Sequence, residues 1–378
     1  MKKAVFFYIF WICLFPKISF SLDDSLRVVI KKDIDNFRLL VKGEYKIQLP
    51  FTAEELDGGK NLKSDISIDG SRGIRVGTSY YNVFAIEFLS RRDGAIYINS
   101  RPYRGKVRVV KDGNGLTIIN IISLEDYLKG VLEYEVAHWW PIEALKAQAV
   151  AARTYALYMK EMNKNKNYDL TSDVFSQVYG GKLGERWRIR RAVLATKGLA
   201  LIYNGKILPA FYHSTCGGHT DDVAHLWNME SGALSGVSCD FCRYSKHYCW
   251  NNKISIENFK IALNKLGYNF DKIEKVLVGE FYQNGYVKNI KVFADNGEHV
   301  IPAKKFRSII GANLIRSRRF VLEKVGDVIN VKGYGWGHGI GLCQWGAYGM
   351  SKKGYSFTEI LEHYYPGSII KKIIWDEK

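Results

Sequence analysis

Residues 123–162 read SLEDYLKGVLEYEVAHWWPIEALKAQAVAARTYALYMKEM and contain the clearest helical signals of the chain. Ser123, followed three positions later by Asp126, is typical of a helix N-cap with an acidic first turn. Pro141 suits the start of a second helix, because its missing N–H would have no partner there. Apolar residues then recur every three or four positions to about Met162. The stretch therefore predicts two consecutive helices, the second long and rich in alanine.

The sequence on either side of these helices predicts a mixed fold. Residues 26 to about 122 contain short apolar or alternating runs separated by Gly, Asp and Asn, which favours strands. Residues 112–115 read DGNG, a signal for a hairpin turn. Helical and strand-like runs alternate after residue 185. We therefore expect an α+β protein in which mixed strands and helices surround a cleft, with a β-rich N-terminal part.

The charge of the chain narrows the class of partner. The 378 residues include 55 Lys and Arg against 38 Asp and Glu, a formal net charge of +17. Such an excess favours a polyanion: nucleic acid, an anionic membrane surface or an anionic wall polymer. Charge alone does not choose among these three.

The first 21 residues distinguish between these partners. Lys2 and Lys3 precede an apolar run from Ala4 to Phe15, which is typical of a secretory signal peptide cleaved near Ser21-Leu22. The alternative is an uncleaved N-terminal anchor. Both interpretations place the remaining chain outside the cytoplasm, so nucleic acid is not an expected partner. A wall polymer is expected instead, and peripheral contact with a membrane is compatible with the charge.

Five cysteines follow the predicted signal. Four of them, Cys216, Cys239, Cys242 and Cys249, lie within 34 positions of one another. An exported compartment favours disulfides that pin an insertion, and a zinc site is the alternative. Cys343 is expected to be a small buried residue in a glycine-rich segment.

Six motifs occur in a fixed order along the chain. They are EDYLKGV (125–131), ALKAQAVAARTYA (144–156), QVYGG (177–181), YHSTCGG (212–218), GHGIGLCQWGA (337–347) and ILEHYYPG (360–367). In this order they resemble the SpoIID/LytB family, which includes the sporulation glycan hydrolase and the amidase enhancer LytB. The resemblance covers roughly residues 95–370.

The N-terminal sequence patterns and the resemblance together predict a domain organisation. Residues 1–21 would be the signal peptide, 22–94 a β-rich region and 95–370 the catalytic domain. An insertion with cysteines at about 216–250 would interrupt that domain, and 371–378 would form a tail.

The resemblance also implies an activity: a peptidoglycan lytic transglycosylase acting in the periplasm or at the outer face of the cytoplasmic membrane. Such an enzyme cleaves the β-1,4 bond after N-acetylmuramic acid and closes a 1,6-anhydro ring, and sporulation members prefer glycan strands already stripped of stem peptides. One Glu can act first as acid and then as base, because the attacking 6-hydroxyl belongs to the same sugar. No cofactor is expected. The alternative is a non-catalytic protein that enhances a cell-wall amidase.

The family motif assigns the catalytic role to one residue. Alignment of Lys129-Gly130-Val131 places the catalytic Glu at Glu135. Family members usually have Gly-Glu-Met-Pro there, whereas this chain has Tyr-Glu-Val-Ala, and Glu133 is the alternative assignment. Trp139 and Trp140 are suited to raise the pKa of the carboxyl and to stack on sugars.

The remaining motifs supply the predicted substrate-binding residues: Arg153, Gln148, Gln177, Tyr179, His213, Ser214, Thr215, His338 and Gln344. For Arg153 the alternatives are a bidentate contact with the muramyl carboxylate and a packed ion pair with Asp126 or Glu143. For His338 they are a saccharide contact and a buried structural role.

Two further features of the motifs carry predictions. The alternating glycines from Gly335 to Gly341 predict a strand that another backbone approaches closely. Some family members bind zinc through His-Cys just before the Gln of QVYGG. Phe175 and Ser176 occupy those positions here, so that zinc site is not expected.

Overall fold

A computed structural model describes residues 24–70, 73–91, 94–113, 115–172 and 177–374. The predicted signal peptide lies outside the described residues, as do Phe175 and Ser176 of the zinc prediction and residues 375–378 of the predicted tail. Among the described residues, no helix is both long and apolar enough to span a membrane.

The described chain forms strands and helices in several sheets. The strands are β1 Ser25–Ile34, β2 Asn36–Gln48, β3 Glu55–Asp69, β4 Gly73–Val76, β5 Ser79–Tyr81, β6 Ala85–Ser90, β7 Ile96–Ile98, β8 Arg101–Tyr103, β9 Lys106–Asp112, β10 Gly115–Ser123, β11 Leu170–Thr171, β12 Leu199–Tyr203, β13 Lys206–Ile207, β14 Tyr212–His213, β15 Cys249–Ser255, β16 Ile273–Phe281, β17 Val287–Ala294, β18 Gly297–Pro302, β19 Phe320–Val325, β20 Val328–Tyr334, β21 Leu342–Cys343 and β22 Ile369–Lys372. The helices are α1 Leu124–Glu135, α2 Ile142–Met162, α3 Trp187–Ala195, α4 Ile256–Asn264, α5 Ala303–Ile310, α6 Gln344–Lys352 and α7 Phe357–Tyr364. The α+β prediction is confirmed.

The N-terminal strands form one large sheet. Its order is β11-β1-β10-β9-β6-β2-β3-β4-β5, with β7 paired to β2 and β8 paired to β7. The hairpin predicted at residues 112–115 joins β9 to β10, where Asp112 pairs with Gly115. Inward-facing side chains such as Leu39, Phe88 and Val109 are fully buried in a core shared with the helices. The predicted β-rich N-terminal part is confirmed.

Helices α1 and α2 begin where the sequence predicts. The Ser123 hydroxyl accepts a hydrogen bond from the Asp126 N–H at 3.3 Å and so caps α1. Pro141 directly precedes α2. The alanine-rich stretch of α2 is buried, and the helix packs against α1, α3, α6 and α7. The small side chains allow these close approaches, so α2 is the central helix of the first core.

A second hydrophobic core lies within residues 250–331, separate from the first. It is built around Phe259, Phe270, Ile290 and Phe306, which are all fully buried. The chain then returns to the first core, where β21 pairs in parallel with β14. The elements from β15 to β20 thus form a module placed between two strands of the main domain. The sequence analysis did not separate this module.

The glycine-rich segment before α6 is not the strand that the sequence predicts. Gly335, Gly337, Gly339 and Gly341 all have positive φ angles, between 68° and 122°, which extended strands of L-residues do not adopt. The predicted close approach does occur: a Cβ on Gly341 would lie 2.1 Å from the Phe211 carbonyl oxygen. The segment is a tight irregular loop folded against the residues that follow β13.

Candidate functional site

Glu135 is the last residue of α1, and its carboxyl is partly buried. Burial raises the pKa of this carboxyl above the ordinary value of 4.5. The Val178 N–H donates to Glu135 Oε1 at 3.2 Å, and the nearby Gln344 amide and Tyr212 hydroxyl also favour the charged form. These groups oppose the effect of burial without cancelling it. The site can therefore hold the carboxyl in its protonated form at a higher pH than an exposed Glu could.

The groups around Glu135 are polar, buried and without hydrogen-bond partners among the described residues. We call them the polar cluster; the atoms are Tyr127 Oη, Gln177 Oε1, Tyr212 Oη and Gln344 Nε2. Burial, followed by the charge of Glu135, raises the pKa of both tyrosines. Buried polar groups are almost always hydrogen-bonded in folded proteins, so unsatisfied groups beside one carboxyl indicate a place for a polar ligand.

Gln148 shares this property on α2. Both of its amide atoms are buried and have no partner within the described chain. Gln177 is only half satisfied, since its Nε2 donates to the Ala152 carbonyl at 3.1 Å while Oε1 is left over. Three predicted substrate-binding residues, Gln148, Gln177 and Gln344, thus have hydrogen-bonding capacity to spare.

Glu133, the alternative acid, lies in a different environment. Its Oε1 is 3.1 Å from His138 Nδ1 and 3.5 Å from Arg186 Nε, and both partners are substantially exposed. The two glutamates are distinguished by their neighbours: Glu133 Oε1 faces His138 and Arg186 while its Oε2 is buried without a partner among the described residues, and Glu135 faces the polar cluster.

Arg153 is a core residue and not a cleft residue. Its side chain is completely buried and makes a bidentate ion pair with Glu125, with Nε–Oε1 and Nη2–Oε2 distances of 2.9 and 2.7 Å. The remaining guanidinium hydrogens point at carbonyls, including that of Leu199 at 3.2 Å. This corrects the substrate-binding prediction, because no N–H of the guanidinium faces solvent. Arg153 does form a packed ion pair, as the alternative proposed, but its partner is Glu125. The two partners that the sequence suggested are paired elsewhere, Asp126 with Lys129 and Glu143 with Lys146.

Tyr179 also corrects a prediction. Its ring is buried against Tyr103 and Tyr127, and its hydroxyl donates to Asn120 Oδ1 at 2.9 Å. The hydroxyl is thus occupied within the protein. The glycines of the same motif serve packing: a Cβ on Gly180 would lie 1.8 Å from the Tyr134 ring.

His338 and His213, the two histidines of the motifs, differ in how many of their ring nitrogens have hydrogen-bond partners. His338 Nδ1 accepts from the Ile340 N–H at 3.0 Å, and its Nε2 lies 2.9 Å from the Tyr212 carbonyl oxygen. Burial and the neighbouring His213 lower the pKa of His338 to about 3, so the ring is neutral and its Nε2–H donates. Both nitrogens are used in positioning backbone, which favours the structural role. His213 keeps one buried nitrogen, Nε2, without a partner among the described residues.

Ser214 and Thr215 lie in the loop that follows β14. The Thr215 hydroxyl is buried 2.7 Å from the Ser245 hydroxyl, and the Ser214 hydroxyl is 3.3 Å from Thr215 Oγ1. The Thr215 backbone bridges to Trp336 in the glycine-rich loop. Thr215 therefore joins segments of the fold, while Ser214 remains partly exposed.

An aromatic surface lies next to Gln344. Trp139, Trp140, Trp345 and Tyr348 form a contiguous set with ring centroids 5.0 to 6.5 Å apart. Trp139 is 57% exposed, whereas Trp140 is buried. An exposed indole ring such as that of Trp139 can stack on the apolar face of a sugar.

A basic cavity of about 560 Å³ is lined in part by Val178, the residue whose N–H donates to Glu135. Lys31, Lys32, Arg101 and Tyr134 are among the residues that line it. The cavity combines cationic groups with an aromatic ring, so it suits an anionic and partly apolar ligand.

The cysteines correct one expectation of the sequence analysis. Cys216, Cys239, Cys242 and Cys343 are buried together, with all four sulfur atoms within 4.8 Å of one another. Cys249 is exposed and is not part of this group, so Cys343 takes the place that the sequence assigned to Cys249. The five cysteines that the structure describes are all free thiols.

The sequence analysis missed three tyrosines whose hydroxyl groups interact electrostatically with the Glu135 carboxyl. Tyr127, Tyr155 and Tyr212 each have a raised pKa, caused first by burial and in part by Glu135. Each lies inside one of the quoted motifs, in EDYLKGV, ARTYA and YHST respectively. Their positions inside these motifs could therefore have marked them as candidate site residues.

Together, fold and site define a class: an α+β protein whose partly buried acid lies among unsatisfied hydrogen-bonding groups, close to an aromatic surface with one exposed tryptophan. Comparison with known proteins identifies the family. Residues 112–203 match the model of the stage II sporulation protein family, SpoIID, and residues 238–341 match a domain of unknown function, DUF8618. The second match overlaps the module with its own core.

Full-length relatives agree with the family match. The chain is 30% identical over 266 residues to stage II sporulation protein D of Bacillus subtilis, covering 66% of this chain and 75% of that protein. An uncharacterized protein of Brachyspira hyodysenteriae is 30% identical over 350 residues, covering 92% and 93%. The amidase enhancer of Bacillus subtilis is 29% identical over 297 residues, covering 64% of this chain and 40% of that protein.

The chain therefore belongs to the SpoIID/LytB family. Its function is related to the cell wall.

Proposed function

We propose that the protein is an exported peptidoglycan lytic transglycosylase with Glu135 as its acid and base. The observation that carries the proposal is the raised pKa of the partly buried Glu135 carboxyl beside the unsatisfied Tyr212 and Gln344 side chains. A glycosidase acid must hold a proton near neutral pH, and burial is the usual way to achieve this.

In the proposed reaction the protonated Glu135 donates to the glycosidic oxygen between N-acetylmuramic acid and N-acetylglucosamine. The C1–O bond breaks and the N-acetylglucosamine leaves with a new hydroxyl. The 6-hydroxyl oxygen of the muramyl residue attacks C1, and the Glu135 carboxylate accepts the hydroxyl proton. The 1,6-anhydro ring closes and the acid is restored, so one carboxyl suffices. Because Oε1 accepts the Val178 N–H, we assign the transferred proton to Oε2.

Three groups of side chains support substrate binding in this proposal. The polar cluster would pair with the sugar hydroxyls and N-acetyl groups. The aromatic surface with Trp139 exposed would stack on sugar rings. The basic cavity with Lys31, Lys32 and Arg101 would receive the lactyl carboxylate that the sequence analysis assigned to Arg153.

The charge of the chain supports the same substrate class and the export that it requires. A formal charge of +17 favours a polyanionic wall, and the first 21 residues have the pattern of a secretory signal. We therefore place the protein in the periplasm or at the outer face of the cytoplasmic membrane.

A second function is enhancement of a cell-wall amidase without cleavage of glycan. The similarity to the amidase enhancer of Bacillus subtilis supports it, as does the replacement of the usual neighbours of the acid by Tyr134, Val136 and Ala137. In this case the site would bind glycan strands and recruit or stimulate the amidase.

Mass spectrometry of glycan fragments separates the two functions. The protein is incubated with intact peptidoglycan and with strands stripped of stem peptides, beside Glu135→Gln. The matched control is Glu161→Gln, which removes an exposed carboxyl near the end of α2. We expect anhydro-muramyl products from the native protein and the control, and a loss of about 10²- to 10⁴-fold in Glu135→Gln.

Absence of fragments from both substrates, despite folded protein that binds glycan, would refute the transglycosylase. The enhancer function would then be tested by adding a cell-wall amidase and measuring its rate with and without this protein.

A further inference from the structure

Four cysteine side chains from three separate segments meet in the interior. Cys216 follows β14, Cys239 and Cys242 flank a short turn, and Cys343 ends β21 just before α6. Each is buried, and all four sulfur atoms lie within 4.8 Å of one another. Two of them, Cys216 and Cys242, have sulfurs 3.6 Å apart. We propose that these four cysteines bind one zinc ion as a tetrahedral thiolate site.

The distances suit a metal better than disulfides. Zn–S bonds of about 2.3 Å in a tetrahedron place neighbouring sulfurs about 3.8 Å apart. A disulfide needs a separation of about 2.05 Å, and two disulfides would divide the four sulfurs into two close pairs. Here all four sulfur atoms lie within 4.8 Å of one another, and the Cys216 and Cys242 sulfurs are 3.6 Å apart, close to the tetrahedral spacing and too far for a disulfide. The separations therefore fit four ligands that share one ion.

The surroundings supply hydrogen bonds to sulfur. Cys343 Sγ accepts from the Cys216 N–H at 3.2 Å and from the Gly346 N–H at 3.3 Å, the latter in the first turn of α6. The Tyr364 hydroxyl lies 3.1 Å from Cys239 Sγ and can donate to it. Such donors stabilise thiolates and orient metal ligands. Gly346 keeps the space open, since a Cβ there would lie 2.9 Å from Cys239 Sγ.

The ligand type and the compactness select the metal. Four soft thiolates in tetrahedral geometry favour Zn²⁺ among the common divalent ions. A cluster of several irons would hold its cysteines farther apart, because the inorganic sulfides lie between them. With four protein ligands the site has no open coordination position, which is typical of structural and not of catalytic zinc.

The site would hold parts of the polar cluster in place. Cys343 directly precedes Gln344, and Cys216 lies four residues after Tyr212. Both of these neighbours affect the pKa of Glu135. One ion would thus tie the β14 loop, the turn with Cys239 and Cys242, and the start of α6 into one rigid unit. The zinc proposal does not depend on the transglycosylase proposal.

Metal analysis of the full chain tests the site. Protein purified without added metal is examined by inductively coupled plasma and native mass spectrometry, and we expect about one zinc per chain. Cys343→Ser and Cys242→Ser should lose the zinc. Cys249→Ser, which changes an exposed cysteine outside the group, is the matched control and should keep it. Chelator under mildly denaturing conditions should lower the melting temperature of the native protein by about 10 °C or more.

Alkylation mapped to individual peptides supplies a readout that needs no variant. In the native protein Cys249 should react readily, and the other four should react only after chelation. Four cysteines that react only after reduction, with no metal bound, would overturn the proposal in favour of two disulfides. Four free thiols without metal would overturn it as well, and iron in place of zinc would refute the choice of metal.

Discussion

The two ends of α1 each carry a glutamate, and the two carboxyls are treated in opposite ways. Glu125, at the start, accepts two hydrogen bonds from Arg153 and one from the Gly198 N–H at 3.1 Å. Glu135, at the end, accepts one from the Val178 N–H and otherwise faces groups without partners. A largely buried carboxyl whose hydrogen-bonding capacity is filled by the protein stabilises the fold, whereas a carboxyl with capacity left over can bind a substrate. The predictions below test this distinction.

The largest effect on stability is expected at the Glu125 end of α1. Arg153→Met should lower the free energy of unfolding by about 3–5 kcal/mol, because it leaves the Glu125 carboxylate buried without its partner. Urea denaturation followed by circular dichroism measures the change.

The matched control and a double variant sharpen this result. Lys164→Met breaks the exposed pair with Glu161 and should cost less than about 1 kcal/mol. Arg153→Met combined with Glu125→Leu should be more stable than Arg153→Met alone, since no charge is stranded. A cost for Arg153→Met as small as the control's would contradict a structural role for the pair.

Two tyrosines extend the same comparison to hydroxyl groups. Tyr179→Phe should lower stability by about 1–3 kcal/mol, because it leaves the buried Asn120 Oδ1 without its donor. Tyr212→Phe removes a hydroxyl that makes no hydrogen bond among the described residues and only favours the charged form of Glu135, so its stability loss should be smaller than that of Tyr179→Phe. Thermal denaturation of both variants checks this, with glycan cleavage measured in parallel. If Tyr212→Phe lost as much stability as Tyr179→Phe and kept full activity, its placement in the ligand site would be wrong.

The pH dependence of stability provides a third test at Glu135. The folded state raises the pKa of this carboxyl, so ionisation disfavours the folded state. Its contribution is fully present below the ordinary pKa of 4.5 and is lost as pH rises through the folded-state pKa. Glu135→Gln should therefore gain stability relative to the native protein between acidic and neutral pH, while cleavage is lost. Urea midpoints at several pH values measure this. A difference that does not change with pH would contradict a raised pKa.

Local features of the fold could be predicted from the sequence, because the atoms that cause them are close along the chain. The Ser123 cap, the Pro141 start and the DGNG turn are of this kind. The partner of Arg153 could not be predicted, since helical periodicity does not say which of several acidic residues faces it. The positive φ angles of the four glycines from Gly335 to Gly341 could not be predicted from the sequence either, because glycine permits such angles without requiring them.

Long-range features of the fold could not be predicted from the sequence for a related reason. The module with its own core at residues 250–331 uses the same strand and helix patterns as its surroundings, so no change of composition marks it. Cys343 joins the other cysteines only through the pairing of β14 with β21, which sequence spacing does not encode. The motifs gave Glu135 as the candidate acid, and its assignment remains a prediction that the polar cluster supports.

The smallest effect is expected at Glu133, and it decides the alignment of the motif. Its contacts with His138 and Arg186 are partly exposed, so Glu133→Gln should change stability by less than about 1 kcal/mol. Anhydro-muramyl products should form at the native rate, because Glu133 Oε1 faces His138 and Arg186, whereas Glu135 faces the polar cluster. The same mass spectrometric assay, run beside Glu135→Gln, measures this. Loss of products in Glu133→Gln, together with their formation in Glu135→Gln, would identify Glu133 as the acid. The partnerless polar groups around Glu135 would then have to be explained by substrate binding alone.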